Sequence, residues 1–219
     1  MRELTSGRQG AVRGAARRMV VFVHGYGADG ADLLGLAGAM APHLPDTLFL
    51  SPDAPDKCTG NGLGRQWFAI PWLDGSSEAM AETGLLAAAQ DLNAFLDARL
   101  AEEGLGPEAL ALVGFSQGAM MCLHIAPRRV APIAGVVAIS GRLLKPERLM
   151  GQTLSRPPVL LIHGDQDSVV PFQDMQLAGN ALLEAEFPTF GHVMKGAGHG
   201  IAPDGIGAAV QFLAERLPG

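Results

Sequence analysis

The sequence predicts an α/β fold in which a mostly parallel central sheet is covered by helices on both faces. Short runs of apolar and β-branched residues alternate with longer segments whose apolar side chains recur at helical spacing. The short runs are apolar throughout, which is typical of parallel strands that are buried on both faces. Glycine and proline separate the segments, and 219 residues suffice for one sizeable core.

The predicted elements follow one another without a repeat or a linker. Strands are expected at Met19–His24, Thr47–Ser51, Leu110–Val113, Ile133–Ser140, Pro158–His163 and Thr189–Met194. Helices are expected over residues 31–43, from Ser76 or Ser77 to Gly104, over Gln117–Pro127, after Pro171 and over Asp204–Leu217. Residues 58–75 form a loop. We expect residues 1–18 to be a solvated segment that leads into the first strand, and residues 19–219 to form one domain.

Composition excludes several classes of protein. Apolar residues make up 48% and charged residues 17%, which argues against disorder. A net charge of −6 argues against nucleic acid as a partner. No run approaches eighteen apolar residues, so we expect no stable insertion into a membrane. Cys58 and Cys122 fit no CxxC or metal spacing, which predicts free thiols in a reducing compartment and a cytoplasmic location.

Gly114-Phe115-Ser116-Gln117-Gly118 fits the pattern G-x-S-x-G where a predicted strand ends. Ligands of parallel sheets bind beyond the carboxyl ends of the strands, so this position suits chemistry. The chain must turn sharply from strand to helix with serine at the apex, and the flanking glycines give the backbone room. The serine oxygen would lie beside a helix N-terminus, whose dipole favours a developing anion. Ser116 is therefore the predicted nucleophile of an α/β hydrolase.

A serine hydroxyl needs a base to take its proton, and in α/β hydrolases an acid and then a histidine follow the serine along the chain. His199 lies in the glycine-rich segment after the last predicted strand, where it can return over the serine, and is the predicted base. Asp165 and Asp167 both follow the strand Pro158–His163. Either carboxylate could orient the imidazole, and spacing alone does not choose between them.

A different function is suggested by Gly25, Gly27 and Gly30, which form a literal G-x-G-x-x-G after the first predicted strand. Asp53 follows at about the distance expected of the ribose-binding acid in a dinucleotide-binding oxidoreductase. That interpretation leaves the serine turn, the acid pair and His199 unexplained. In a hydrolase the same loop supplies one oxyanion-hole amide and the residue after the serine supplies the other. We therefore assign the backbone N–H groups of Tyr26 and Gln117 to the oxyanion hole.

Six motifs in this order resemble the phospholipase/carboxylesterase family, which includes acyl-protein thioesterases and bacterial carboxylesterases: HGYGADG, SPDAP, RQWF, GFSQGA, HGDQDSVVP and GAGHG. The resemblance runs from Met19 to the C-terminus. It implies a minimal α/β hydrolase without a large lid that acts on ester or thioester bonds. It also implies that the catalytic aspartate is Asp167, directly before Ser-Val-Val-Pro, and that Asp165 is structural. Members often have leucine where this chain has Tyr26, so the pocket is expected to differ in shape.

These observations together predict a serine carboxylesterase that hydrolyses short- to medium-chain esters through an acyl-enzyme, without a metal or an organic cofactor. The candidate substrate contacts are Trp67, Phe68, Trp72, Leu143 and Leu144. The segment after the strand Ile133–Ser140 is short, whereas family members that bind long acyl chains commonly build an apolar channel there. An acyl-protein thioesterase or a lysophospholipase is the alternative. The partner is expected to be a small-molecule ester, and the sequence does not decide whether the chain forms a homodimer.

Overall fold

The computed structural model describes residues 1–60 and 62–219 and contains one large sheet. Among these residues the strands are β1 (Ser6–Gln9), β2 (Arg18–Val23), β3 (Thr47–Pro52), β4 (Asp56–Lys57), β5 (Arg65–Gln66), β6 (Leu110–Phe115), β7 (Gly135–Ile139), β8 (Val159–Gly164) and β9 (Thr189–Met194). Seven of them form a sheet in the order β1-β3-β2-β6-β7-β8-β9, and β4 pairs with β5. All neighbours in the large sheet are parallel except β1 and β3. The mostly parallel sheet that the sequence predicts is therefore confirmed.

Helices lie between the strands. They are α1 (Gly30–Leu34), α2 (Ala37–Met40), α3 (Pro71–Asp74), α4 (Glu78–Glu103), α5 (Gln117–Ile125), α6 (Leu149–Gln152), α7 (Gln173–Glu184) and α8 (Pro203–Arg216). The longest helix, α4, begins where the side chain of Ser77 accepts a hydrogen bond from the amide of Met80. It ends at Gly104, which adopts a left-handed conformation with φ 66°. None of the helices in the described ranges has the length and apolar character that crossing a bilayer requires.

Two apolar layers hold the helices against the sheet. Along β2, Met19 and Val21 face a core shared with α4, α5 and α7, whereas Val20 and Phe22 face a core shared with α1, α2 and α8. This alternation follows from the two-residue period of a strand, and because both faces are covered, residues 19–23 of β2 are all apolar. Helices on both faces of the sheet are thus confirmed. Cys58 and Cys122 are both buried free thiols.

Three segments differ from the predicted elements. Residues 58–75, predicted to be a loop, contain β5 and the short helix α3, which begins with Pro71 and ends at Gly75 in a left-handed conformation. The helix expected over residues 31–43 is broken into α1 and α2, in a stretch that contains Gly35 and Gly38 and therefore has low helix propensity. Residues 1–18 are more than a segment leading into the first strand. Within them β1 pairs antiparallel with β3, from Ser6 opposite Pro52 to Gln9 opposite Phe49. Its residues are polar and largely exposed, so no apolar pattern marks them as a strand.

Candidate active site

Ser116 lies at the sharp turn between β6 and α5, as the sequence predicts. Its backbone has φ 53° and ψ −115°, a conformation that is strained for any residue except glycine. A Cβ atom on Gly114 would lie 2.4 Å from the carbonyl oxygen of Gly118, and one on Gly118 would lie 1.7 Å from that of Val23. Both glycines are therefore needed for the turn to pack against β2.

The three residues predicted for the reaction lie in hydrogen-bond contact. Ser116 Oγ is 3.0 Å from His199 Nε2, and His199 Nδ1 is 2.7 Å from Asp167 Oδ2. They follow β6, β9 and β8, whose carboxyl ends meet at one edge of the parallel sheet. An ionised Asp167 accepts the proton of Nδ1, which leaves Nε2 free to accept the serine proton. The arrangement can thus generate a serine alkoxide and hold the imidazolium that forms with it.

The carboxylate of Asp167 is buried and hydrogen-bonded on both oxygens. Oδ1 accepts from the backbone amides of Val169 and Val170, each at 2.9 Å. Burial alone would raise the pKa of Asp167, but the hydrogen bonds from His199 and from the two amides outweigh it, so the pKa is lowered below its usual value. Asp167 is therefore ionised at neutral pH. Asp165 instead accepts the amide of Gly196 at 2.7 Å and joins the loops that follow β8 and β9.

A second histidine contacts Asp167 from the interior. His163 Nε2 lies 3.3 Å from Asp167 Oδ2 and 2.9 Å from the carbonyl oxygen of Val170. The ring is buried, and a proton on Nε2 serves the carbonyl and the carboxylate together. The sequence did not reveal this contact, although His163 lies near the end of β8, four residues before Asp167. His163 thus restricts how Asp167 can turn.

Tyr26 and Gln117, the predicted oxyanion-hole residues, lie on either side of Ser116. Gln117 is the first residue of α5, and the first amides of a helix have no partner within it. Tyr26 follows Gly25, where a Cβ atom would lie 3.4 Å from that of Ser116. Both backbone segments therefore border the nucleophile that the sequence predicts.

The side chain of Gln117 has a role that the sequence did not reveal. It is buried, with Oε1 accepting the amide of Trp67 at 2.9 Å and Nε2 donating to the carbonyl of Phe68 at 2.7 Å. Trp67 is 0% exposed and its indole N–H donates to the carbonyl of His24 at 3.0 Å. The prediction that Trp67 contacts substrate is wrong. The structure places this side chain in the core, because this position buries the ring and gives its N–H a partner.

A groove with a volume of about 100 Å³ runs beside this loop, between the first turns of α4 and the C-terminal end of α5. Three of the predicted substrate contacts, Phe68, Trp72 and Leu144, line it. Trp72 is 47% exposed and its ring lies under the guanidinium of Arg142, at 4.6 Å. Leu143 lies outside the groove and lines a neighbouring hollow with Arg142. The three predicted reacting residues do not themselves line the groove. Phe68 connects it to the serine turn, since its carbonyl accepts a hydrogen bond from the side chain of Gln117, the residue after Ser116.

The glycine-rich loop after β2 is bound by Asp53, which follows β3. The amide of Gly30 donates to Asp53 Oδ1 at 2.9 Å, and Asp53 Oδ2 accepts the hydroxyl of Thr5 at 3.0 Å. In a dinucleotide-binding fold the amide would face a pyrophosphate and the acid a ribose. Here the acid occupies the place of the phosphate and would repel it. The loop pattern is therefore explained by internal packing, with a Cβ on Gly30 only 2.4 Å from the carbonyl oxygen of Ser51.

Comparison with known proteins shows the family to which this chain belongs. The phospholipase/carboxylesterase family model matches residues 11–217. The chain is 28% identical to the esterase YpfH of Escherichia coli K12, over 93% of this chain and 84% of that protein. It is 27% identical to acyl-protein thioesterase 1 of Neurospora crassa, over 91% of this chain and 86% of that protein. The solved structure of the esterase PE8 superposes with a TM-score of 0.92 at 42% identity, covering 98% of this chain and 100% of that one. The resemblance seen in the motifs is thus confirmed, and the chain belongs to the phospholipase/carboxylesterase family of α/β hydrolases.

Proposed function

We propose that this chain is a serine carboxylesterase that hydrolyses short- to medium-chain carboxylic esters through an acyl-enzyme on Ser116. The observation that carries the proposal is the continuous chain of hydrogen bonds from Ser116 through His199 to Asp167. Membership in a family of esterases and thioesterases supports the type of bond that is broken.

The steps follow from this geometry. Ser116 attacks the ester carbonyl while His199 takes its proton, and Asp167 stabilises the imidazolium. The amides of Tyr26 and Gln117 bind the oxyanion, and the loss of one such donor typically costs about 100-fold or more in rate. His199 then protonates the leaving alcohol. Water attacks the acyl-enzyme while His199 takes its proton, and His199 returns this proton to Ser116 as the acid is released. The mechanism uses no metal or organic cofactor.

Thioester hydrolysis is the second candidate. The same serine attack would open a thioester, and one relative is an acyl-protein thioesterase. Apolar walls formed by Phe68, Leu85 and Leu144 suit an acyl chain, as either candidate requires. The charged residues that also line the groove favour a chain of limited length over a long one, because charged groups bind acyl tails poorly. The same observation disfavours a lysophospholipase.

The test compares wild type with Ser116→Ala on p-nitrophenyl acetate, butyrate, octanoate and palmitate, and on an octanoyl thioester. We expect turnover that peaks at butyrate or octanoate and disappears in the variant. Ser6→Ala, an exposed serine of β1, is the matched control and should keep full activity. A faster reaction with the thioester than with the octanoate ester would put the thioesterase first. Equal rates in wild type and a folded Ser116→Ala would refute the proposal.

A further inference from the structure

The groove carries more positive than negative charge. Its lining contains three cations, Arg128, Lys145 and Arg148, and two acids, Glu78 and Glu82, which leaves one positive charge in excess. Arg148 forms an ion pair with Glu82 across the groove. Glu78 is exposed in the first turn of α4, where the helix dipole stabilises it. Within the described residues, no carboxylate forms an ion pair with Arg128, which is half-buried.

Arg128 also has unused hydrogen-bond donors. Nε and one terminal nitrogen donate to Gln152 Oε1 at 3.0 and 2.6 Å, and the other terminal nitrogen donates to the carbonyl of His124 at 2.6 Å. Both acceptors are neutral. A guanidinium has five N–H groups, so one on each terminal nitrogen is left. Both can donate to the oxygens of a carboxylate.

His124 reinforces this end of the groove. Its ring lines the groove and is only 9% exposed, and in the described part of the chain neither ring nitrogen has a hydrogen-bond partner. Burial, and then the neighbouring Arg128, lower the pKa of His124 to about 4, so the ring is neutral at pH 7. The ring nitrogens are not enclosed by protein, so the neutral N–H can donate to an anion in the groove. A fixed cation and a neutral N–H donor thus line the same end of the groove.

The distance between Ser116 and His124 sets the length of chain that a substrate needs to reach this end of the groove. His124 lies eight residues after Ser116 along α5, which is about 12 Å at the rise of an α-helix. An extended chain advances about 1.2 Å per bond, so roughly ten bonds cover this distance. Phe68, Leu85 and Leu144 line the groove with apolar surface. An ester bound at Ser116 could therefore extend an aliphatic chain along the groove toward Arg128.

We propose that Arg128 and His124 form a subsite for a carboxylate at the far end of the acyl chain, so that the preferred substrates are monoesters of medium-length dicarboxylic acids. The proposal takes the position of the ester carbonyl from the proposed function. Lys145 and Arg148 add to the attraction from the rim of the groove, where both are exposed.

The experiment compares kcat/KM for the p-nitrophenyl monoester of sebacic acid with that for p-nitrophenyl decanoate, which has the same length and no carboxylate. Hydrogen bonds to a charged group predict a preference of about tenfold or more for the sebacate ester in wild type. The adipate monoester, whose carboxylate cannot reach Arg128, should show no such preference over the hexanoate ester.

Two variants test the residues. Arg128→Gln should abolish the preference for the sebacate ester. Gln152→Glu keeps an acceptor for Arg128 and neutralises its charge, so it should lower the preference even if Arg128→Gln fails to fold. In each folded variant, the rate with p-nitrophenyl decanoate measures any general loss of activity, so the ratio of the two kcat/KM values isolates the effect on the carboxylate. An unchanged preference in the two variants would overturn the subsite, as would no preference in a wild type that hydrolyses decanoate.

Binding separates the subsite from the proposed function. Calorimetry with monomethyl sebacate and Ser116→Ala requires no turnover, and affinity should fall about tenfold or more when Gln152→Glu is added. If wild type hydrolyses neither ester but this binding depends on residue 152, the subsite stands and the proposed function fails. If binding is absent or indifferent to residue 152, the subsite is refuted whatever the activity.

Discussion

Replacement of Gln117 by leucine tests how the loop at Trp67 and Phe68 is held beside Ser116, the proposed nucleophile. The side chain of Gln117 satisfies two buried backbone groups, the amide of Trp67 and the carbonyl of Phe68. Leucine satisfies neither, and the burial of this position leaves no access for water. Each unsatisfied group costs about 1–3 kcal/mol. Gln117→Leu should therefore reduce the free energy of unfolding by about 4 kcal/mol, which lowers Tm by roughly 8–16 °C in a chain of this size.

Glutamate at the same position gives a sharper test. Gln117→Glu keeps the acceptor for the amide of Trp67, but places a second oxygen against the carbonyl of Phe68 and buries a charge. Burial raises the pKa of such a carboxyl, so it takes up a proton as the pH falls and can then donate to the carbonyl. The Tm deficit of Gln117→Glu relative to wild type should shrink between pH 8 and pH 5, whereas that of Gln117→Leu should not.

Thermal unfolding followed by circular dichroism at the two pH values decides the matter. The control is Gln90→Leu, an exposed glutamine of α4, which should stay within about 0.5 kcal/mol of wild type. If Gln117→Leu melts within about 2 °C of wild type at both pH values, the two hydrogen bonds do not hold the loop and the reasoning is refuted. A deficit of Gln117→Glu that does not change with pH would show that the lost donor is not the cause.

Three further outcomes are expected. Asp167→Asn should lower kcat for p-nitrophenyl butyrate about 10⁴-fold, because an amide N–H facing His199 favours the tautomer that cannot accept the serine proton; a rate within tenfold of wild type would contradict this. Gly118→Ala should lower the free energy of unfolding, measured with urea, by about 3 kcal/mol or more, because its Cβ would lie 1.7 Å from a carbonyl oxygen of β2. The control, Gly207→Ala in α8, has open space around the Cβ and should raise the free energy of unfolding by up to about 1 kcal/mol. The pKa of His124 is about 4 in the fold and 6.5 in a model peptide, so between these pH values the unfolded chain binds more protons than the folded chain. The free energy of unfolding should therefore fall by about 3 kcal/mol as the pH falls from 6.5 to 4. In His124→Gln, urea unfolding should show a decrease smaller by about 3 kcal/mol over the same range, and a decrease equal to that of wild type would mean that burial does not lower this pKa.

The sheet and the serine turn could be predicted because their physical requirements are local. A strand buried on both faces needs an apolar run, and a turn as tight as that at Ser116 needs glycine at fixed positions. The order of serine, acid and histidine then followed from the order of strand ends. The choice of Asp167 over Asp165 did not follow from spacing and came from the family resemblance.

Other features depend on contacts between distant residues that leave no pattern in the sequence. Trp67 and Trp72 belong to the same loop, yet one is 0% and the other 47% exposed. Gln117, about 50 residues away, binds the loop at the backbone of Trp67 and Phe68 and forms no such hydrogen bond at Trp72. The contact of His163 with Asp167 and the unpaired donors of Arg128 likewise arise only once the chain is folded.

β1 has a consequence for association between molecules. Without it, β3 would form the edge of the sheet and would offer a row of unpaired amides and carbonyls on a fully buried, apolar strand. Such an edge is a template on which another chain can add a strand. β1 covers this strand, and the edge that it forms instead is short, polar and carries Arg8. Such an edge disfavours the addition of a strand from another molecule. Removal of residues 1–10 should accordingly leave the predicted reacting groups in place and yet increase aggregation relative to the full chain, as measured by light scattering at equal concentration.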